Sequence, residues 1–486
     1  MKKAKIVCTL GPASDTPDVI TQLIKAGMNV ARLNFSHGTH EYHKKVIENI
    51  REASTRLNTP VAILQDLQGI KIRIGLVANE AVQLKTRKTV LLLPGGGHEE
   101  EVSDDRQIFI TYPNLLTDVE VGNRVLMDDG HIQMVVKEKT DKGLVAEIKE
   151  GGVLKNKKGV NLPDTSISIT PFTEKDQADL VFGVEAAVDW VALSFVKSQE
   201  DIIKVREFLK ERNQTVPLIA KIEKPEAIRN IKGIIEQADG IMIARGDLAV
   251  ELSPQEVPVL QKELVVKANQ AGKVVIVATQ MLESMTENMT PTRAEASDVA
   301  NAVLDGADAL MLSVETASGM YPVKAVSVMR QIIEHTEKMT SKLMSEDSEF
   351  DRIALSLKHK KGIPYAIADA ACKAADDINS DLIIAFTHSG YTALLLSKNR
   401  PKTPVIACTS QTQIMRQMSL FWGVRPFRIR QLNNTEEMIE EIERVLLEAS
   451  ILKQGDTITI VASSPLSIHG KANFIKLHKL GEATQH

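Results

Sequence analysis

PLIAKIEKPEAIRNIKGIIEQADGIMIARGDLAVE, from Pro217 to Glu251, reads as strand, helix, strand and the opening of another helix. The β-branched apolar run Leu218 to Ile222 and the second run Ile241 to Ile243 are the strands, with an amphipathic stretch between them. Both strands end in acid. Lys221 and Glu223 stand two apart and share one face of the first strand, while Asp247 follows Ala244-Arg245-Gly246 where a helix begins. The pattern gathers two carboxylates, an ammonium and a helix N-terminus at one rim of a parallel sheet. That set suits a hard divalent cation bridging an anionic substrate. Surface charge closing two strands has the same appearance, and the stretch alone leaves both readings open.

Working outward, the same rhythm recurs. Strand-like runs stand at Ile6 to Thr9, Val30 to Phe35, Val61 to Asp66, Trp190 to Phe195, Leu218 to Glu223, Ile241 to Ala244, Val274 to Thr279 and Ala309 to Ser313. Amphipathic helical segments such as Asp18 to Ala26, His40 to Arg56 and Gln255 to Ala271 alternate with them. Eight such units predict an α/β fold, a closed (β/α)8 TIM barrel with its chemistry at the C-terminal strand ends; an open doubly wound sheet is the alternative. Between the third and fourth strands the pattern turns Gly-rich, with short alternating segments from Ala81 to Ile148 and turns at Pro94-Gly95-Gly96-Gly97, Asp128-Asp129-Gly130 and Asp141-Lys142-Gly143. This predicts an inserted small β-barrel, residues 67–170, that hangs over the rim of a barrel made of residues 1–66 and 171–343. After a polar linker from Met344 to Gly362, residues 344–486 return to an α/β pattern, read as a C-terminal regulatory domain on a separate sheet.

At 486 residues the chain exceeds one core. Its 59 Lys+Arg against 63 Asp+Glu point to neither nucleic acid nor a membrane surface. Cys8, Cys372 and Cys408 have no disulfide-like or metal-like spacing, and no run spans a bilayer, so a cytoplasmic protein is expected.

Three more strand ends bring polar groups to the rim. Arg32, Asn34 and Ser36 alternate on one face, where a guanidinium fork can meet phosphate. Thr279 ends the seventh strand and Ser313 the eighth, each also readable as a helix-capping hydroxyl.

Taken together, CTLGPAS (Cys8 to Ser14), ARLNFSHG (Ala31 to Gly38), KGVNLP (Lys158 to Pro163), KIE (Lys221 to Glu223), IMIARGDLAVE (Ile241 to Glu251), ATQMLESM (Ala278 to Met285) and PTRAEASDVANAVLDGADALMLS (Pro291 to Ser313) resemble the pyruvate kinase family, from Lys5 to about Leu480. The resemblance implies phosphoryl transfer from phosphoenolpyruvate to ADP. It implies Glu223 and Asp247 as ligands of Mg2+ or Mn2+, with Lys221 and Arg32 at the transferring phosphoryl group. Ala244 and the backbone of Arg245, Gly246 and Asp247 would receive the substrate carboxylate, Thr279 would lie by the enolate, and Ser313 would relay its proton. By motif position Asn34, His37, Arg73 and Lys175 would face the nucleotide. A homotetramer is implied as well.

This sequence departs from the family pattern in places. Asn34, Ser36, Asp66 and the residue at position 67 would cage K+ in the family; here position 67 is Leu67, and Lys71 replaces a Glu. The expectation is that the Lys71 ammonium stands in for K+, which is then not required. Ile70 stands where Pro is usual, Val314 replaces a small residue beside Ser313, and Ala249 replaces a Gly. In the third domain Thr387-His388-Ser389-Gly390-Tyr391-Thr392 is readable either as a phosphate nest or as a capped turn. The family binds phosphorylated effectors there, so a sugar phosphate or AMP is expected, but the differing loop Ser463 to Lys471 leaves its identity open. The competing functions are another Mg2+-dependent enolate-forming barrel enzyme and a catalytically silent metabolite sensor; the Arg32, Lys221, Glu223, Asp247 and Thr279 set argues against the sensor.

Overall fold

The eight apolar runs pair in parallel into one closed barrel: β1 (Lys5–Thr9), β2 (Val30–Asn34), β3 (Ala62–Asp66), β4 (Trp190–Leu193), β5 (Leu218–Ile222), β6 (Gly240–Ala244), β7 (Val274–Ala278) and β8 (Ala309–Leu312). Closure is by β1 against β8, with Lys5 opposite Ala309 and Cys8 opposite Leu312. The computed structural model describes residues 2–95, 101–343, 362–431, 434–463 and 472–481. The linker predicted from Met344 lies outside the described residues except for Gly362, as does the C-terminal loop except for Ser463. Among the described residues no helix is long and apolar enough to cross a membrane.

Strand alternation decides what faces inward. Val7, Val30, Leu64, Ala192, Ile219, Met242, Ile276 and Met311 are buried together in one cluster, while Ile6, Ala31, Ile63, Val191, Ala220, Ile241, Val277 and Leu310 are buried in another with apolar side chains of the surrounding helices. The strands are therefore apolar on both faces, as a barrel sheathed in helices requires. The helices have legible starts. Thr173 with Asp176, and Thr292 with Glu295, form reciprocal capping boxes at Glu174–Glu185 and Arg293–Leu304.

The segment after β3 folds around its own apolar core of Leu92, Ile108, Val125, Met134, Ala146 and neighbours. A six-stranded sheet runs from Val160–Asn161 to Gln107–Ile110. Its two edges are joined through Arg73 and Ile74, which bridge to Gly159 and Ile110. The strand that closes this cap is thus the one that leaves the main barrel. Its exit is pinned: Gly69 has φ +67, and a Cβ there would come within 3.0 Å of the Ser194 Cβ and the Phe195 ring. The Gly69 N–H donates to Asp176 at 3.0 Å, tying the outgoing chain to the helix at which it returns. Ile70 packs against the cap core, so the side chain standing in place of Pro is used for burial.

The C-terminal sheet has the order Val424–Arg428, Val405–Thr409, Leu382–Phe386, Thr457–Ala462, Phe474–Lys479, parallel except for the last strand. Both outer strands escape a reading by pattern alone: one carries Pro426, tolerated only at an edge, and the other alternates with lysines. This domain seats on the barrel floor. Trp190 packs edge-to-face on Phe421 at 6.3 Å, Lys5 Nζ donates to the Val424 carbonyl at 2.7 Å, and Arg416 pairs with Asp189 at 3.0 Å. At the centre of the floor Lys398, wholly buried, pairs with Asp308, which also accepts from Arg400 at 2.9 Å and from the Val275 N–H at 2.8 Å. Removing one partner of such a pair costs about 3–5 kcal/mol, because a charge is left buried alone. Asp308→Asn is expected to destabilise the fold by about that amount, read as a lower urea midpoint from the fluorescence of Trp190 and Trp422, both of which lie at this contact.

Candidate active site

At the C-terminal mouth of the barrel the inward positions change from apolar to charged. Arg32 on β2, Asp66 on β3 and Lys221 on β5 meet inside the mouth. Asp66 Oδ2 accepts from Arg32 Nε at 2.6 Å, and its Oδ1 lies 3.3 Å from Lys221 Nζ. Lys221 also pairs with Glu223 Oε1 at 2.9 Å and donates to Ser194 Oγ at 2.8 Å, and Arg32 Nη1 donates to Thr9 Oγ1 at 2.9 Å. Burial alone would raise the Asp66 carboxyl, but Lys221 and Arg32 outweigh it and hold it below the ordinary range. Burial likewise opposes the Lys221 charge, and Asp66 and Glu223 overcome it, keeping its pKa above the ordinary lysine value. Lys221 is thus a cation held in place by three buried partners.

The other two acids are in the opposite condition. Burial, with Asp247 adding to it, raises the Glu223 carboxyl against the pull of Lys221. Asp247 is raised by burial and by Asp129, Glu251 and Asp66, again against Lys221. Glu223 Oε2 accepts the Phe195 N–H at 2.6 Å, whereas the Asp247 carboxylate meets no hydrogen-bond donor among the described residues. Two inward carboxylates with too little positive charge between them fit a divalent cation that takes its other ligands from substrate and water. Among the described residues no group of three or more acidic, His or Cys side chains forms a fully protein-built metal cage.

The rim backbone is strained where it turns. Thr279 and Gln280 have φ +69 and +55, and Phe195 has φ +55. The Thr279 turn lets its hydroxyl accept the Gly246 N–H at 2.7 Å while donating to the Ala278 carbonyl at 2.6 Å. Arg245 turns its guanidinium outward, to Asp298 at 2.7 Å and the Thr279 carbonyl at 2.7 Å, leaving only its backbone at the rim.

The chain matches the pyruvate kinase barrel-domain family over residues 1–326 and the pyruvate kinase alpha/beta-domain family over residues 365–478. This chain belongs to the pyruvate kinase family. It is 43% identical over 487 residues to a pyruvate kinase of Geobacillus stearothermophilus and 42% identical to one of Bacillus licheniformis, covering 99% of this chain and 81% of each relative. A pyruvate kinase structure from Cryptosporidium parvum superposes with a TM-score of 0.90 at 35% identity, covering 99% of this chain and 96% of that one. The pyruvate kinase resemblance and the barrel architecture expected from sequence are therefore shown, and the chain is a phosphotransferase.

At this mouth several expected residues sit in unexpected company. Lys175 Nζ is held by the Phe35 carbonyl at 2.8 Å and by Asp179 at 2.5 Å. His37 is lowered by burial and by the charges of Lys71, Arg73 and Arg32, which groups these cations on one side of the mouth. Lys71 faces Asp247 and Asp129 across a cavity of about 160 Å³ between cap and rim; burial and Arg73 lower it, and Asp247 pulls the other way. Asn34 Oδ1 accepts the Ser36 N–H at 3.1 Å, and the Leu67 carbonyl accepts the Ser194 hydroxyl at 2.7 Å. Ser313 Oγ is buried with no partner among the described residues, while neighbouring Val314 is exposed. Ser194 and Thr9 were not anticipated at the site. The alternation Trp190, Ala192, Ser194 carries the signal for the first, since it sets Ser194 on the inward face one step past β4.

A second cavity, about 1330 Å³, opens between the barrel floor and the C-terminal sheet, lined among others by Trp190, Lys273, His388, Thr392, Arg428 and Arg430. There Gly390, with φ +81, donates its N–H to Thr387 Oγ1 at 3.0 Å, and His388 contacts Gln411. The Thr387 to Thr392 segment is therefore a capped turn that also borders a cavity.

Proposed function

We propose that this chain moves the phosphoryl group of phosphoenolpyruvate to ADP at the barrel mouth, with Glu223 and Asp247 holding Mg2+ or Mn2+. The observation that carries this is the immobilised Lys221, held by Asp66, Glu223 and Ser194 beside the Arg32 guanidinium. Two cations fixed by buried partners need no reorganisation when charge spreads over the phosphoryl oxygens, and that preorganisation is the main catalytic resource for such a transfer. A divalent cation, when bound, would neutralise charge on the substrate carboxylate, enolate and phosphoryl oxygens. The rim backbone of Ala244, Arg245, Gly246 and Asp247 orients the carboxylate, and Thr279 braces that backbone through Gly246. Lys221, held as a cation by Asp66 and Glu223, stabilises the enolate as a charge. The unpartnered Ser313 hydroxyl is the group free to relay a proton to the enolate carbon. Asn34, His37, Arg73 and Lys175 receive the nucleotide phosphates.

ADP-dependent pyruvate formation in a coupled assay is expected of the whole chain, with loss of at least about a hundredfold in Glu223→Gln or Asp247→Asn. Mn2+ at a hundred times its Kd is expected to stabilise the wild-type fold by about 2.7 kcal/mol and either variant by far less. Activity that survives both substitutions would overturn the cation assignment.

K+ independence belongs to the same reading. The acceptors that would cage the ion already have protein donors: Arg32 and Lys221 on Asp66, Ser194 on the Leu67 carbonyl, the Ser36 N–H on Asn34. Lys71 supplies a positive charge on the side of the mouth shared with His37, Arg73 and Lys221. Equal rates are expected in KCl and tetramethylammonium chloride, and a large drop in the latter would refute the substitution.

The floor cavity, with Arg428 and Arg430 beside the Thr387 to Thr392 turn, supports a phosphorylated effector such as a sugar phosphate or AMP. Activation by such a compound is expected to vanish in a Ser389→Ala, Thr392→Ala double variant, with unstimulated activity kept; undiminished activation would reject the site.

A further inference from the structure

The mechanism above makes no use of one buried acid. Glu251 ends the helix Arg245–Glu251, one turn after Asp247 and on the same face, and is 2% exposed. Its Oε1 accepts from Lys224 Nζ at 2.6 Å and from Asn161 Nδ2 at 3.0 Å; its Oε2 has no partner among the described residues. The three residues come from three places. Lys224 directly follows Glu223. Glu251 shares a helix with Asp247 and contributes to raising its carboxyl. Asn161 belongs to the cap strand Val160–Asn161, whose Val160 N–H donates to the Ile72 carbonyl on the outgoing hinge at 3.0 Å.

One carboxylate oxygen thus joins the segment of each proposed cation ligand to the cap above them. The cap touches the same helix once more, where its turn at Gly130 lies against Val250. Asn161, Lys224, Asp129 and Asp247 line the cavity that separates cap from rim, so the joint stands at the mouth of that gap. The two bonds differ in kind. The Lys224 pair is buried on both sides, with side chains 10% and 1% exposed, and binds two parts of the barrel to each other. The Asn161 amide is neutral, reaches across from the cap, and can be withdrawn while Lys224 still meets the charge of Glu251. Such a division suits a contact that forms on closure and breaks on opening.

We infer that Asn161, Glu251 and Lys224 form a buried joint in which Lys224 and Glu251 position the two carboxylate segments and Asn161 latches the cap over them. All three are positioning residues, and the inference rests on the cation-site reading of Glu223 and Asp247. Asn161→Ala is expected to lower kcat by roughly tenfold or more, to leave the KM for phosphoenolpyruvate within about twofold, and to speed amide exchange at residues 159–162 without lowering the melting midpoint. Asn161→Asp, which sets a second carboxylate against Glu251, is expected to lose more. Lys224→Met should lose kcat by roughly fivefold or more with faster exchange in residues 245–251, and Lys224→Arg should keep both. Wild-type kcat and wild-type exchange in Asn161→Ala, or loss of exchange protection spread over the whole barrel, would overturn the joint. Mn2+ titration separates the two readings: Asn161→Ala is expected to bind it at wild-type affinity, whereas Glu223→Gln reports on the cation site itself.

Discussion

Everything at the barrel mouth depends on a buried carboxylate, Asp66, being shared by two cations that arrive on different strands. Arg32 takes one oxygen and Lys221 the other, at 2.6 and 3.3 Å. Without Asp66 these cations would repel each other in a poorly solvated space; with it, both are held in place. Lys221 pairs with Glu223 as well, and Asp247 adds a third carboxylate, so acids outnumber these two cations at the mouth. Burial raises both Glu223 and Asp247, and a divalent cation would offset that surplus of carboxylate.

The architecture protects that arrangement from both ends. Below, a buried ion pair and aromatic contacts fix the C-terminal domain to the barrel floor, where Lys398 reaches Asp308 just before the strand that leads to Ser313. The helix carrying Lys398 begins at Tyr391, beside the floor cavity. One short rigid element therefore spans from the cavity to the barrel. Above, the cap is closed by the same chain segment that leaves β3, and Gly69, Asp176 and the Arg73 and Ile74 bridges hold its two connections to the rim.

Much of this was legible before any coordinates. The barrel strands differ from the apolar runs by a residue or so at their ends, because β-branched runs with polar tips mark buried strands and rims together. Arg32, Lys221, Glu223, Asp247 and Thr279 all come to one mouth, since alternation along a strand sets which side chains share a face. Ser194 was missed although it obeys the same alternation, because a single serine past a strand end carries no distinctive chemistry. Strands such as Val424–Arg428 and Phe474–Lys479 were missed because edge strands, satisfied on one side by solvent, need no apolar pattern.

Sequence alone determined the fold class, the family, and which strand ends carry charge, all of them consequences of local periodicity and motif order. Only the tertiary structure decided how those charges are satisfied. Lys71 lines a cavity with Asp247 and Asp129, the Arg245 guanidinium pairs with Asp298, and Glu251 gathers a lysine and a cap asparagine from distant positions. Partner choice among buried ions depends on distance and desolvation across strands far apart in the chain, and no pattern along one strand encodes either.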